Sequence, residues 1–513
     1  MKPMIKKLDH LYMLGVSIET PHGLVTYRAK LELGIFDLPA KAAVLCAKQF
    51  NGKYGCSVCL HPGVYSGRSL KYPPSDYPNR THRSVLVAAW QAEQKQDVVQ
   101  GMKGVSPLHE VLNLVDSIPV DYMHAVLGVT RRLLKYWFDS KYHSGASYLG
   151  SKLKKIDKVL LRQQPPHELS RPPRSIEKHL KYLKASELRS WLLFYSLPLL
   201  LDNLPALFFH HYALLVCAVH ILLQEEITPS QVDAAESMLR DFCVLLPELY
   251  GQDSCTANAH LLFHLTKYVR LWGPLWTHSA FENKNGHLKR YIHGRGNIVP
   301  QLMFNVDVSL TLQLVHHKLV QHESQETMDF LNSSSQLAPR SNMAQIGEHT
   351  YIIGHCQIKP PTTEESNALG TEEPIQCFSK LYKNGVGYHA ASFFSTENHG
   401  KRDSTVCSFQ SRGERLRFGR VIVFVNMSSP QALVRTFHQP PQSLLKQAGP
   451  PCRPTLAVYK DVDLLNSFIT VVEESAATPL LAVPIKDIQG KVVLVKNEVS
   501  TYVIKQPNHF EHH

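Results

Sequence analysis

A chain of 513 residues is long enough for about three domains. Its net charge of +12 and pI near 9.1 favour polyanionic partners, because clustered Lys and Arg gain affinity by releasing counterions. Ten cysteines scattered along the chain form no disulfide framework, and the first residues hold no apolar signal-peptide core. This excludes a secreted disulfide scaffold and predicts a reducing compartment, nucleus or cytoplasm.

The opening MKPMIKKLDHLYMLGVSI places Ile5, Leu8, Tyr12 and Leu14 at near-helical spacing. LVTYRAKLELGIF is β-branched and aromatic with partial alternation, predicting a strand that ends in Asp37 and is followed by the helix-like AKAAVLCAKQF. YGCSVCLHPG brings Cys56 and Cys59 into a CxxC, and the turn-rich YPPSDYPNRTHRS leads into a long helical block. From Asp121 to Tyr250 apolar residues recur mostly at three and four. DYMHAVLGVTRRLLKYWF and QVDAAESMLRDFCVLLPEL read as helices, the latter opened by Pro229 and Ser230. The most apolar run begins at Trp191, but Pro198, Asp202, Asn203, Pro205, His210 and His211 interrupt it. Each is costly in a bilayer, so two buried helices are expected and no membrane span. AHLLFHL then offers His260 and His264 at i, i+4. In the stretch after it Glu282, Lys289 and His293 share a helical face beside Arg290 and Arg295. Past Glu323 a polar linker and an acid-rich loop precede short apolar runs between Pro, Gly and Asn turns, which predict a small antiparallel barrel or sandwich.

Two thiolates of a CxxC turn and two histidines on one helix face can close a tetrahedral zinc site. Cys56, Cys59, His260 and His264 are therefore candidate ligands of a structural zinc that staples distant parts of a large fold. Taken singly, each half also reads as buried thiols or as core histidines. Asp37 and Glu282 are candidate carboxylates for two divalent ions, Mg or Mn, which would activate water and stabilise a leaving oxygen in phosphodiester chemistry. Asp37 equally fits a helix N-cap, and Glu282 a solvated charge. Asp121 and His124 sit at i, i+3. They read as a cap with a packed histidine or as a second-shell or alternative metal pair. Lys289, Arg290 and Arg295 are candidate phosphate contacts, alongside basic clusters at Arg131, Arg132 and Lys152 to Lys158.

These motifs give the chain a resemblance to the DDE/D transposases of the CACTA (En/Spm-like) group, and more distantly to the catalytic core of the V(D)J recombinase. DLPAKA, CSVC, DYMH, HLLFHLTKYVRLWGP and FENKNGHLKRYIHGRGN carry it, in the order acid, CxxC, paired histidines, acid, across roughly residues 1 to 320. The resemblance implies an α+β chain: an incomplete RNase H-like core with a large all-α insertion, followed by a C-terminal antiparallel β domain. The expected boundaries are 1–84 for the partial core with the CxxC, 85–255 for the helical insertion and 256–322 for the core helices bearing the His pair and Glu282. A linker at 323–345 and a β-rich domain at 346–513, with a disordered loop near 360–374, complete the chain.

An RNase H-like core carries a first acid on its first strand, and this sequence offers no strand-borne candidate for it. Asp9, the one aspartate before Asp37, lies on the opening helix. The expectation is a chain lacking the N-terminal strands and one third of the triad, with little or no nuclease activity alone, since catalytic residues that act as a unit fail together. DNA is the expected partner, with homo-oligomers possible in principle and no small-molecule substrate. The other expectation is a host-used, zinc-stabilised DNA-binding or protein-interaction scaffold without catalysis.

Overall fold

Apolar spacing builds the centre of the molecule. Helix Tyr122–Phe138 starts at Asp121, whose side chain accepts from His124 N–H, and buries Ala125, Val126, Val129, Leu133, Leu134 and Trp137 along one side. Trp137 is fully buried. Its Nε1–H donates to Tyr250 Oη at 3.2 Å, and its ring meets Tyr212 edge-on at 4.9 Å. Helix Ala206–Leu222 is apolar all round and buried from Phe208 onward, packed against helix Pro229–Tyr250, which opens with a Thr228/Gln231 capping box. Its three histidines do not break this core, because each finds a carbonyl: His210 that of Gly449, His211 that of Phe242 and His220 that of Lys505. The run from Trp191 thus folds as buried helical segments, and no helix among the described residues is long and apolar enough to cross a membrane.

The structure is a computed structural model and describes residues 2–20, 23–67, 69–279, 288, 291–294, 296–319, 343–393, 402–411, 413–449 and 467–508. Glu282, Lys289, Arg290, Arg295 and the expected linker up to residue 342 lie outside these residues.

At the N-terminal end β1 (Val16–Thr20) and β2 (Gly23–Tyr27) form a hairpin, and β3 (Val64–Ser66) pairs with β4 (Ser69–Lys71). The predicted strand running to Asp37 is shorter than expected. It stops at Tyr27, and residues 28–37 form no regular element. Among the described residues they pair with no strand, and Gly34 N–H donates instead to Ser117 O at 2.9 Å. Every strand pairing among the described residues is antiparallel, and an RNase H-like sheet is not among them.

The C-terminal region is antiparallel sheet, as expected. β5 (Met343–Gly347), β6 (Thr350–Ile353), β9 (Lys380–Lys383) and β10 (Val386–His389) make one sheet in the order β10, β9, β6, β5. A second runs β14 (Ile469–Val472), β17 (Thr501–Lys505), β16 (Ile488–Lys496), β11 (Val406–Phe409), β12 (Arg417–Asn426), β13 (Gln431–Thr436), β15 (Leu480–Pro484). β8 (Ile375–Phe378) joins it at β12, and β7 (Gln357–Lys359) at β8.

Two expectations change here. Residues 360–374 hold a helix, Thr363–Leu369, fixed by a Thr362/Glu365 capping box and by the ion pairs Glu365–Lys359 at 2.8 Å and Glu364–Arg435 at 2.9 Å. The acids that suggested disorder are the groups that anchor it. The β region is also not a separate unit. Strand alternation sends Val493, Val495, Tyr502 and Ile504 into the core of the helical body, while Val492, Leu494 and Val503 face the opposite way onto Phe418 and Phe437.

His220 sits on this seam, stacked on Phe468 with ring centres 3.8 Å apart and its Nε2–H donating to Lys505 O at 3.1 Å. Burial pushes its pKa down to about 3. A pKa below the unfolded value of about 6.5 means that the stability His220 contributes is complete above pH 6.5 and is lost as pH falls toward 3. His220→Gln retains a donor and cannot titrate, so it flattens the acid limb of the urea midpoint against pH. An unchanged limb would assign acid unfolding to other groups.

Candidate metal centre

The CxxC turn is shaped by its backbone. Val58 N–H donates to Cys56 Sγ at 3.4 Å, Arg80 N–H to Val58 O at 2.8 Å, and Leu60 N–H to Pro78 O at 2.9 Å. Opposite it, helix Ala257–Leu261, capped by Thr256, passes through a single 3₁₀ turn into helix Leu265–Trp272 and presents His260 and His264 on one side. The two halves meet. Cys56 Sγ lies 3.6 Å from His264 Nε2, Cys59 Sγ 3.2 Å from His260 Nε2, and the two Nε2 atoms 3.3 Å apart. All four ligand atoms fall within 4.8 Å of one another and all four residues are buried.

A tetrahedral zinc with Zn–S near 2.3 Å and Zn–N near 2.0 Å spaces its ligand atoms about 3.3 to 3.8 Å apart, so the donor set and these three separations fit a metal such as zinc. Burial opposes ionisation of Cys56, yet the Cys59 thiol and the His264 and His260 imidazoles hold it well below the ordinary thiol range. Cys59, hydrogen-bonded to Cys56 and buried, is pushed above that range. The cluster thus favours thiolate character on Cys56, the form a divalent cation binds.

The surroundings fix the ligands and were not anticipated. Arg80, 4% exposed, reaches in from the connector. Its Nε–H is shared between Cys56 O at 3.0 Å and Cys59 O at 3.1 Å, and Nη2 donates to Tyr54 O at 3.0 Å and Gln100 O at 2.8 Å. Tyr72 stacks on His260 with ring centres 5.1 Å apart and donates its hydroxyl to Phe50 O at 2.7 Å. His61 is no ligand. Its Nδ1 accepts from Gly63 N–H at 2.9 Å, so the proton is on Nε2 and goes to Pro73 O, also at 2.9 Å. The one sequence signal for Arg80 was a long cation in a turn-rich segment, which is too common to single out.

Asp37 and Asp121 are both helix caps. Asp37 Oδ1 accepts from Ala40 N–H at 2.7 Å at the start of helix Leu38–Val44. Asp121 accepts from His124 N–H at 3.2 Å and also binds the His124 ring through Nδ1. Neither Asp121 nor His124 joins the four-ligand cluster, so the zinc-partner alternative for this pair falls away. Lys41 ties the two caps together. Although buried, it donates to Ile118 O at 2.7 Å and Pro119 O at 3.2 Å, just ahead of Asp121, and burial brings its pKa down to about 8.

Asp37 and His124 border one open cleft of about 950 Å³, which Lys71, Arg131 and Arg132 also line. The structure therefore places Asp37 on this cleft, outside the four-ligand cluster, with its carboxylate occupied by the cap. Glu282 and its basic neighbours lie outside the described residues. Comparison with family models and with curated proteins returned no match to this chain.

Proposed function

We propose that this chain is a transposase-derived nucleic-acid-binding protein, a remnant of the metal-dependent DNA cleavage and strand-transfer enzymes of the CACTA group. The observation that supports this most is the closure of one buried four-ligand cluster by half-sites 208 and 201 residues apart, Cys56 with His264 and Cys59 with His260. Chance supplies either half readily, but it does not supply their meeting with all four ligand atoms converging. In this reading an RNase H-like core is the ancestral frame, zinc is structural, and Asp37 and Glu282 are the acids that would hold Mg or Mn once a first acid is supplied. Lys289, Arg290 and Arg295 contact phosphates, and the working compartment is the nucleus.

A second reading, a host-used scaffold that binds without cutting, is favoured by the Asp37 carboxylate being engaged by Ala40 N–H. Asn caps a helix about as well as Asp, so Asp37→Asn removes the charge and keeps the cap, whereas Asp37→Ala costs about 1 kcal/mol. The expected result is salt-dependent DNA binding that Asp37→Asn leaves unchanged, with Mn²⁺-dependent cleavage and strand transfer at background. Cleavage that both Asp37→Asn and Glu282→Ala abolish would make the chain a working nuclease, and failure to bind DNA at any salt would overturn both readings.

A further inference from the structure

The cleft that Asp37 borders has a second chemistry. Arg131 and Arg132 project into it from helix Tyr122–Phe138, and neither has a carboxylate within ion-pair distance among the described residues. Arg131 donates to Lys181 O and Leu183 O, and Arg132 to Tyr136 Oη and Asp253 O, contacts that orient the guanidinium groups, while the Asp253 carboxylate acts on Arg132 electrostatically from beyond ion-pair distance. Lys71 is largely spent on Asp253 at 3.0 Å, and Asp37, the lining carboxylate, is held by its own helix. The same cleft is lined by two large aromatic side chains from separate segments, Phe50 at 39% and Tyr65 at 60% exposure, the latter on the hairpin strand β3. Asn51 and Asn258 add amides to its lining.

Guanidinium groups and exposed rings lining one cleft form the combination that binds unpaired nucleotides. Phosphates take the cations, and bases stack on the rings, which a duplex with its base faces already stacked cannot use. The cleft volume suits a few extended nucleotides and is in the range of ligand clefts generally. We infer that this cleft holds a short single-stranded stretch of nucleic acid, with Arg131 and Arg132 on its phosphates and Phe50 and Tyr65 stacked on its bases. The inference rests on the nucleic-acid reading above and narrows it to unpaired strands.

Fluorescence anisotropy on the full chain with a labelled 12-nucleotide oligothymidylate, and with a duplex of the same length, tests it at two salt concentrations. The single strand is expected to bind about tenfold more tightly than the duplex. Tyr65→Ala should weaken the single strand about tenfold with the duplex unchanged, Tyr65→Trp should restore it, and Arg132→Gln should lower the salt slope by about 0.7. Tyr65 is exposed, so an unchanged melting temperature and metal content certify the fold of its variants. Equal binding of both probes, or a Tyr65→Ala protein that binds the single strand normally, overturns the cleft assignment and leaves DNA binding in place elsewhere. Binding of neither probe overturns the assignment together with the reading beneath it.

Discussion

Purified protein is expected to carry one equivalent of zinc, and His264→Ala to remove it and lower the melting temperature by roughly 10 °C. The magnitude follows from what the cluster joins. Cys56 and His264 are 208 residues apart in the chain and 3.6 Å apart in space, and Cys59 and His260 likewise connect the CxxC turn to the helix Ala257–Leu261. Deleting one ligand leaves three polar or ionised groups buried around a vacated position. Breaking buried charged sets of this kind costs about 3–5 kcal/mol, and in domains of this size each kcal/mol moves the midpoint by about 2–4 °C. The helical core around Trp137, Tyr212 and Phe242 extends far beyond the ligands, so the variant is expected to fold, only less stably. Metal content by mass spectrometry and the midpoint by calorimetry check both halves. Protein that carries no metal, with Cys56 and Cys59 titrating as ordinary unreactive thiols, would reduce the cluster to packing.

The half-sites were legible in the sequence because their geometry is local. A CxxC makes its own turn, and i, i+4 histidines share a face whatever the fold around them. Helices Tyr122–Phe138 and Pro229–Tyr250 were legible for the same reason, through apolar period and, in the second, through Pro229 at its start. What the sequence left open depends on partners far along the chain. The run after Tyr27 has strand-like residues but pairs with no strand among the described residues, and pairing decides a strand more than its side chains do. The helix Thr363–Leu369 was masked by its acidity, since whether acids solvate a loop or anchor a helix turns on Lys359 and Arg435 being near. The merging of the β region with the helical core was hidden too. Alternation in β16 and β17 says that two faces differ, not what each face meets. Lys41 and Arg80 were missed because a charged residue in a sequence gives no sign of its burial.

Arg80→Met is expected to lower stability by roughly 3–5 kcal/mol and to weaken zinc binding about 10- to 100-fold although it removes no ligand. Arg80 serves four carbonyl oxygens at 2.8 to 3.1 Å, two of them belonging to the ligand residues Cys56 and Cys59 themselves. A buried carbonyl left without a donor costs about 1–3 kcal/mol, and the four share one environment, so their losses do not simply add. Burial lowers the Arg80 pKa, and the neighbouring Cys56 and Cys59 sulfurs act against that shift, so the cation and the anionic ligands stabilise one another. Methionine fills the volume and supplies neither donors nor charge. The CxxC backbone then turns its carbonyls toward other partners, and the sulfurs no longer converge. Arg80→Lys tests the geometry, because an ammonium keeps the charge but lacks the planar fork that spans Tyr54, Gln100 and the ligand turn together; it should recover a part of the stability and little of the zinc affinity. Competition against a chromophoric chelator reads the affinity and urea unfolding reads the stability. If stability falls in Arg80→Met while zinc affinity holds, Arg80 is a prop of the fold alone. If both fall together and Arg80→Lys separates them, the guanidinium is what orients the metal ligands.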